Sequence, residues 1–453
     1  MKSINPTNGK LIKEYEEHSD DEVSEILQLV QSDWQEWSKT SFSERSGYMK
    51  NAANLIRERS EDYAVLMANE MGKALRDGRS IAKKNAWVCD YYAENAEKFL
   101  MDEIIATEAT KSFATFQPIG IVLAVMPWNF PFWQVLRFAA PALMAGNAGV
   151  LKHASNVSGC ALALEQLFRD AGFPENIFRT LLIPGSRVDS VIEHKFVRAV
   201  TLTGSTPAGK SVASKAGSLL KKTVLELGGS DAYVVLADAD VPAAAIACAT
   251  SRLINTGQSC ISAKRFIVED IIYDEFVEHF VTAMKTAIMG DPLEESTTIG
   301  PMARVDLRDE LHEQVSKSIE KGAKLLLGGE KPDGPGAFYP ATVLGDVVPG
   351  MPAYHEEFFG PVASVIRAKD EADAIRIAND SIFGLGGAVF TKDVEKGERI
   401  AKEEIQAGAV FVNSFVTSDP RLPFGGIKES GYGRELSHYG IKEFVNIKTV
   451  QIT

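Results

Sequence analysis

The sequence predicts an α/β protein of two domains, each a largely parallel sheet covered by helices. Three observations lead there. Short apolar runs alternate with helical segments from Gly120 onward, and a second alternating stretch begins near Arg265. The 453 residues also exceed what one hydrophobic core organises.

Residues 21–111 carry helical spacing and charge. Asp20 or Asp21 is placed to cap a helix whose apolar positions Val23, Ile26, Leu27 and Val30 share one face. Further helices are expected over 43–59, 61–75 and 81–100. Residues 119–151 are strongly apolar, but Pro127, Asn129, Pro131, Arg137, Pro141 and Asn147 interrupt them, which argues against a membrane span. The stretch reads as a strand (120–126), a loop (127–131) and a packed helix (134–145). Strands are expected at 148–151, 178–182, 199–202 and 233–236, with helices at 158–171 and 207–215 between them. The second region has strands at 265–268, 323–327, 362–367, 387–390 and 409–412, and helices at 276–288, 309–321 and 372–378. The boundary between the two regions falls near 226–257.

Acidic side chains outnumber basic ones, 61 to 48, for a net charge of −13. That balance disfavours a nucleic-acid partner and does nothing to attract an anionic membrane. Four scattered cysteines, Cys89, Cys160, Cys248 and Cys260, do not make a disulfide framework, and no secretory signal opens the chain. A cytoplasmic protein with free thiols is expected. The seven histidines show no metal-ligand spacing, so no metal site is expected.

Four segments could carry chemistry. Cys260 follows Asn255-Thr256-Gly257-Gln258-Ser259, a small and polar turn unlike the apolar helical settings of Cys160 and Cys248. Such a turn supplies the access and backbone dipoles that a nucleophilic thiol needs, although an isolated cysteine is most often an inert buried thiol. Glu226 stands between apolar residues just before Gly228-Gly229. Buried there, its pKa would rise and suit a general base; a solvent-facing carboxylate at an element's end is the plainer reading. Asn129, in Pro127-Trp128-Asn129-Phe130-Pro131, follows a strand end and could donate to an oxyanion, or could simply cap a rigid turn.

Gly204-Ser205-Thr206-Pro207-Ala208-Gly209-Lys210-Ser211 matches the P-loop pattern, and Asp238 after residues 233–237 resembles a metal-binding aspartate at a strand end. A P-loop nucleotide hydrolase is therefore a rival reading. Pro207 weakens it by deleting an N–H from a loop that must cradle phosphate. The milder reading is a turn whose following helix attracts the phosphate of some nucleotide. No G-x-G-x-x-G fingerprint and no G-x-S-x-G elbow occurs.

Taken in order, Pro127 to Pro131, Lys152, Gly204-Ser205-Thr206, Leu225 to Gly229, Gly257 to Cys260, Glu356-Glu357-Phe358-Phe359-Gly360-Pro361 and Pro423 to Gly431 resemble the aldehyde dehydrogenase superfamily nearly end to end. The resemblance implies a Rossmann-like cofactor domain (1–97 and 119–228), a catalytic α/β domain (229–425) and oligomerisation elements (98–118 and 438–453) that make a homodimer or homotetramer. It implies Cys260 as nucleophile on the aldehyde carbon, and Asn129 with the Cys260 N–H as donors to the oxyanion. Glu226 would then activate water against the thioester left after hydride transfer. An NAD or NADP cofactor would meet Trp128, Asn129, Lys152, Ser155, Gly204, Ser205, Leu227, Glu357 and Phe359. Many NAD-preferring relatives have Glu where this chain has Ser155, so NADP is expected to be accepted, alongside NAD.

Within the superfamily the chain is most similar to succinate-semialdehyde dehydrogenases. On that resemblance Arg137 would hold the substrate carboxylate. Ile254 stands where a second arginine is often found, with Ser418 and Arg421 as substitutes. Arg137 could equally form a structural ion pair. The alternatives are a dehydrogenase of another small aliphatic or ω-carboxylic aldehyde, a coenzyme A-acylating relative (disfavoured by Glu226), and a non-enzymatic binding role.

Overall fold

The computed structural model describes residues 1–453. A hairpin of Lys2–Ile4 and Leu11–Glu14 opens the chain, and four helices follow: Asp20–Trp37, Phe42–Glu58, Ser60–Met71 and Leu75–Phe99. The first is capped by Ser19 rather than Asp20 or Asp21. Ser19 and Glu22 exchange hydrogen bonds as a capping box, and Ser41 and Glu44 do the same for the second. The helix expected to run to Leu75 stops at Met71, because Gly72 takes φ 78°. A Cβ on Gly72 would also meet the Pro301 carbonyl at 2.6 Å, so the break is fixed twice.

The first sheet has six strands in the order Gly431–Tyr432, Lys222–Glu226, Val197–Thr203, Ile121–Met126, Ala148–His153 and Phe178–Thr180. All neighbours are parallel except the first pair. Both faces are covered, chiefly by Trp133–Met144 (buried at every position), Ser158–Asp170 and Thr206–Ser218, so the central strands read as continuous apolar runs. The chain moves from Ile121–Met126 outward through Ala148–His153 to Phe178–Thr180. It then returns to the other side of Ile121–Met126 with Val197–Thr203. That reversal opens a crevice at the carboxyl ends of Ile121–Met126 and Val197–Thr203, where the Pro127 loop and the Gly204 turn begin.

The second sheet has seven strands, ordered Lys324–Leu327, Thr342–Gly345, Val362–Ala368, Arg265–Glu269, Ala232–Val235, Gly386–Phe390 and Ala409–Val412. Only Lys324–Leu327 runs antiparallel. Period-two alternation feeds two cores. Val234, Ile267, Leu344 and Ile366 pack toward Val305–Glu320 and Glu371–Asn379. Tyr233, Val235, Phe266, Val268 and Val365 pack toward Val241–Leu253 and Tyr273–Met284. The strands Lys222–Glu226 and Thr342–Gly345 and the helix Val241–Leu253 had no counterpart in the sequence reading. Glu226 therefore ends a strand.

A third sheet joins Glu103–Ile104, Lys111–Pro118 and the last strand, Val445–Ile452, which pairs antiparallel with Lys111–Pro118 from Val445 opposite Pro118 to Ile452 opposite Lys111. No helix is long and apolar enough to cross a membrane.

Candidate active site

The segment carrying Cys260 is held in an unusual backbone path. After the helix Val241–Leu253, Asn255, Thr256 and Gly257 have φ of 54°, 56° and 71°. Glycine is required at 257, where a Cβ would run into the Gly360 carbonyl. Asn255 tolerates the left-handed region better than most residues, and its side chain ties the loop together. Its Nδ2 donates to the carbonyls of Asn129 (2.9 Å) and Gln258 (3.0 Å), while its Oδ1 accepts from the Lys73 ammonium. Gln258 Oε1 accepts the Ala303 N–H at 2.9 Å, and Lys264 donates to the Ser259 and Cys260 carbonyls at 2.8 and 2.6 Å.

Lys73 is buried, lies 4.0 Å from the Phe130 ring centroid, and has its pKa pulled down to about 7 by burial. Lys73→Met is expected to orphan the Asn255 side-chain oxygen Oδ1 and cost about 1–3 kcal/mol. A lowered thermal midpoint, together with slower alkylation of Cys260, checks this; an unchanged midpoint would contradict it.

Cys260 is the one cysteine that is not fully buried. It stands at the junction of two cavities and lines both. The first, about 250 Å3, is walled by Trp128, Asn129, Gly204, Ser205, Leu227, Gly228, Glu357 and Phe359, among others. The second, about 200 Å3, is walled by Lys84, Trp133, Arg137, Ser418 and Phe424, among others. Gln134 borders both, and its Nε2 donates to Asn129 Oδ1 at 3.0 Å. That bond turns Asn129 Nδ2 toward the loop, where one N–H meets the Gln258 carbonyl at 3.0 Å and the second is left to donate elsewhere. Burial pushes the Cys260 thiol up to about 12; Lys264 and Arg137 pull the other way.

Glu226 is not brought into either cavity wall, although its neighbours Leu227 and Gly228 line the first. It is 2% exposed, and neither carboxylate oxygen has a hydrogen-bond partner. Burial raises its pKa well above the ordinary carboxylate range; the nearby Glu435 raises it further, against Arg137 and Arg434. No hydrogen bond holds the carboxyl in this seat, so a rotamer change toward Cys260 breaks none.

Arg137 lines the second cavity but is ion-paired to Glu435, with its guanidinium stacked on Phe424 at 4.5 Å. Both partners are buried, and Glu435 is held protonated more readily than usual by burial. Ser418 lies in the wall of this cavity. Arg421 does not: it is exposed, hooked to Asp419 at 2.7 Å and set over Trp87 at 5.2 Å. The short two-residue reach from Asp419 captures its guanidinium before it can turn inward.

The first cavity suits a dinucleotide. The helix Thr206–Ser218 opens on Ser205 with no side chain capping its N–H groups, so these remain free for phosphate. Trp128 and Phe359 meet edge to face at 5.7 Å and form an apolar clamp. Glu357 is steadied by the Gly229 N–H at 3.1 Å and by Lys264 at 3.4 Å. Lys152 and Ser155 sit outside this wall, at the end of the neighbouring strand Ala148–His153 and in the turn after it. The Lys152 ammonium has no carboxylate partner, and burial lowers its pKa.

The P-loop reading fails here. Lys210 is exposed and paired with Glu429 at 3.0 Å, away from the cavity. Asp238 accepts hydrogen bonds from Thr391 and Asp393. Sequence reasoning missed Lys73, Lys84, Gln134, Lys264 and Glu435. Each is an ordinary polar residue in sequence; the fold marks them by burying Lys73, Gln134, Lys264 and Glu435 around the site and by setting the half-buried Lys84 in the second cavity wall.

A doubly wound sheet whose crevice ends on a partly accessible cysteine between two cavities is the arrangement of an enzyme that joins a nucleotide to cysteine chemistry. The sequence pattern of the aldehyde dehydrogenase family matches residues 1–450. The chain is 48% identical over 450 residues to a Synechocystis sp. protein named as a probable succinate-semialdehyde dehydrogenase (NADP+), covering 99% of both chains. It is 45% identical over 448 residues to an Escherichia coli succinate semialdehyde dehydrogenase (NAD(P)+), covering 99% of this chain and 97% of that one. The crystal structure of Streptococcus pyogenes succinic semialdehyde dehydrogenase with NADP+ superposes with a TM-score of 0.97 at 38% identity, covering 100% of this chain and 99% of that one. The chain belongs to the aldehyde dehydrogenase family.

Proposed function

We propose that this enzyme oxidises succinate semialdehyde to succinate, with NADP or NAD as hydride acceptor. The observation that carries the reading is the position of Cys260 between a cavity walled by Trp128, Ser205, Glu357 and Phe359 and a second cavity bearing cationic side chains. The names of the relatives support the same substrate and cofactors.

In this reading the Cys260 sulfur attacks the aldehyde carbon. Its thiol proton is lost to solvent, and the oxyanion accepts the free N–H of Asn129 Nδ2 and the Cys260 N–H. NADP, when bound, supplies the acceptor for the hydride that leaves this carbon. Trp128, Ser205, Leu227, Glu357 and Phe359 would hold the cofactor beside the sulfur, and Lys152 and Ser155 would meet its adenosine end. Glu226, rotated out of its buried seat, takes the proton of a water that cleaves the thioester and frees the thiol. Assay of an aldehyde panel with both cofactors tests the proposal. Turnover of butanal equal to that of succinate semialdehyde would overturn the substrate assignment.

Ser155→Glu is expected to lower kcat/KM for NADP by about tenfold or more, through repulsion of the 2′-phosphate, while NAD loses less. Equal losses on both cofactors would remove Ser155 from the site.

The same reading divides the chain into a cofactor domain (1–97 and 119–228), a catalytic domain (229–425) and pairing elements (98–118 and 438–453). Exposed Ile104, Ile447 and Ile452 on the third sheet support a homodimer or homotetramer, to be checked by light scattering.

A further inference from the structure

We propose that Lys264 is a positioning residue for the aldehyde chemistry: its ammonium, fixed on the carbonyl of the Ser259–Cys260 peptide, aims and strengthens the N–H at the other end of that same peptide. This rests on the reading above, in which the Cys260 N–H meets the oxyanion, and it assigns part of that donor's strength to a side chain outside both cavity walls.

The Ser262 N–H donates to the Ser259 carbonyl at 3.2 Å and turns the chain, so that Lys264 reaches back to residues it has just followed. Its backbone is pinned at the head of the strand Arg265–Glu269. Its N–H donates to the Asp231 carbonyl at 3.1 Å, and its own carbonyl accepts the Ser364 N–H at 2.9 Å. From there the side chain, 1% exposed, sends its ammonium to the Ser259 carbonyl at 2.8 Å and the Cys260 carbonyl at 2.6 Å, with the Glu357 carboxylate at 3.4 Å. These acceptors match the three N–H groups of an ammonium.

A trans peptide is planar, and its C=O and N–H point in opposite directions. Pinning the Ser259 oxygen on Lys264 therefore sets the direction of the Cys260 N–H, which makes no hydrogen bond within the chain. A cation on the oxygen also draws electrons from the nitrogen, and so makes the N–H a stronger donor. A neutral partner would give the direction with much less of the polarisation. The cost is a buried charge. Burial lowers the Lys264 pKa; Glu357 and Asp231 raise it, against Arg252. Asp231 is itself fixed, since its Oδ1 accepts the Gly386 N–H at 3.0 Å. The sulfur meets an overlapping set of charges. Burial opposes its anion, Lys264 and Arg137 favour it, and Glu357 and Asp231 act against it. Arg137 is engaged by Glu435, which leaves Lys264 as the cation seated on the Cys260 peptides.

Two reagents separate the roles, in the full-length enzyme without cofactor. Iodoacetamide alkylates the sulfur and creates no oxyanion, so its rate reports the thiolate alone. Trifluoroacetone adds reversibly: the sulfur loses its proton to solvent and bonds to the carbonyl carbon, and the C=O π pair moves to oxygen, which the trifluoromethyl group keeps ionised. Its affinity, read as protection against iodoacetamide, reports the thiolate and the oxyanion donors together. Lys264→Met is expected to weaken trifluoroacetone by about tenfold or more beyond any change in the alkylation rate, a part of what losing a whole oxyanion donor costs. Lys264→Gln keeps a neutral donor for one carbonyl and carries the same measurement should Lys264→Met fail to fold; its loss is expected to be smaller, about threefold. Equal losses with both reagents would place Lys264 on the charge of the sulfur alone and overturn the assignment, as would affinities within about twofold of wild type. A wild-type enzyme whose Cys260 takes iodoacetamide but not trifluoroacetone overturns the reading of Cys260 as nucleophile on a carbonyl carbon instead, so the two failures are distinguishable.

Discussion

Cys260→Ser is expected to lower aldehyde oxidation by on the order of 10⁴-fold or more, since every later step depends on a bond to that sulfur. The hydroxyl is smaller and far less acidic. The loop around it is held by Asn255, Gln258 and Lys264 rather than by the sulfur, so the variant should fold. Burial sets the thiol at about 12 in the protein alone, which leaves it protonated at neutral pH. A raised thiol pKa means that the reactive thiolate grows with pH. The alkylation rate of Cys260 should therefore rise about tenfold per pH unit between pH 7 and 9. Iodoacetamide labelling followed by mass spectrometry measures it. A flat profile would show that Lys264 and Arg137 outweigh burial and that the thiolate is already formed.

Glu226→Gln should separate the two halves of the reaction. The amide keeps the shape and cannot take a proton, so thioester hydrolysis is expected to slow by about 10²–10⁴-fold. Thioester formation should survive, giving one rapid equivalent of reduced nicotinamide per chain followed by a stall that hydroxylamine relieves. A loss of the initial burst equal to the loss of steady-state rate would place Glu226 in the first half and end its role as base. Stability gives an independent reading of the same residue. The folded-state pKa of Glu226 is raised, so its stabilising contribution is full below the unfolded pKa, near 4.3, and is lost as pH rises through the folded value. The variant escapes that loss. Its advantage in thermal midpoint over wild type should grow from pH 5 to pH 8.

Much of the fold was legible because its signals are local. Strands such as Ile121–Met126 and Ala409–Val412 are uninterrupted apolar runs, Arg265–Glu269 has Phe266-Ile267-Val268 at its centre, and their helices carry a plain apolar stripe. Helix starts were less so. Ser19 outcompeted two adjacent aspartates because its hydroxyl reaches Glu22 while Glu22 reaches back, a reciprocity that composition does not reveal. Thr342–Gly345 escaped notice because only tertiary pairing with Val362–Ala368 makes a strand of four such residues. At the site, motif residues such as Cys260 and Ser205 declare themselves by their glycine-rich surroundings. Lys84 and Glu435 do not. They lie 176 and 175 residues from Cys260 along the chain, on an exposed-looking helix and in a late loop, and charge patterning alone assigns both to solvent. Arg137 was ambiguous for the same reason, since its partner Glu435 is visible only when the chain has closed.

That closure has a consequence for when the protein becomes an enzyme. Gly431–Tyr432 adds to the edge of Lys222–Glu226, Glu435 reaches Arg137, and Val445–Ile452 zips along Lys111–Pro118. The polypeptide is made from its N-terminus, and pairings this distant in sequence are slow to form. Asn129 and Cys260 are therefore synthesised long before the segment that seals the pocket behind them. A nascent or newly refolded chain passes through a stage in which the thiol is present and its surroundings are not. The last 23 residues, from Gly431 on, are therefore the latch that closes the fold around the site.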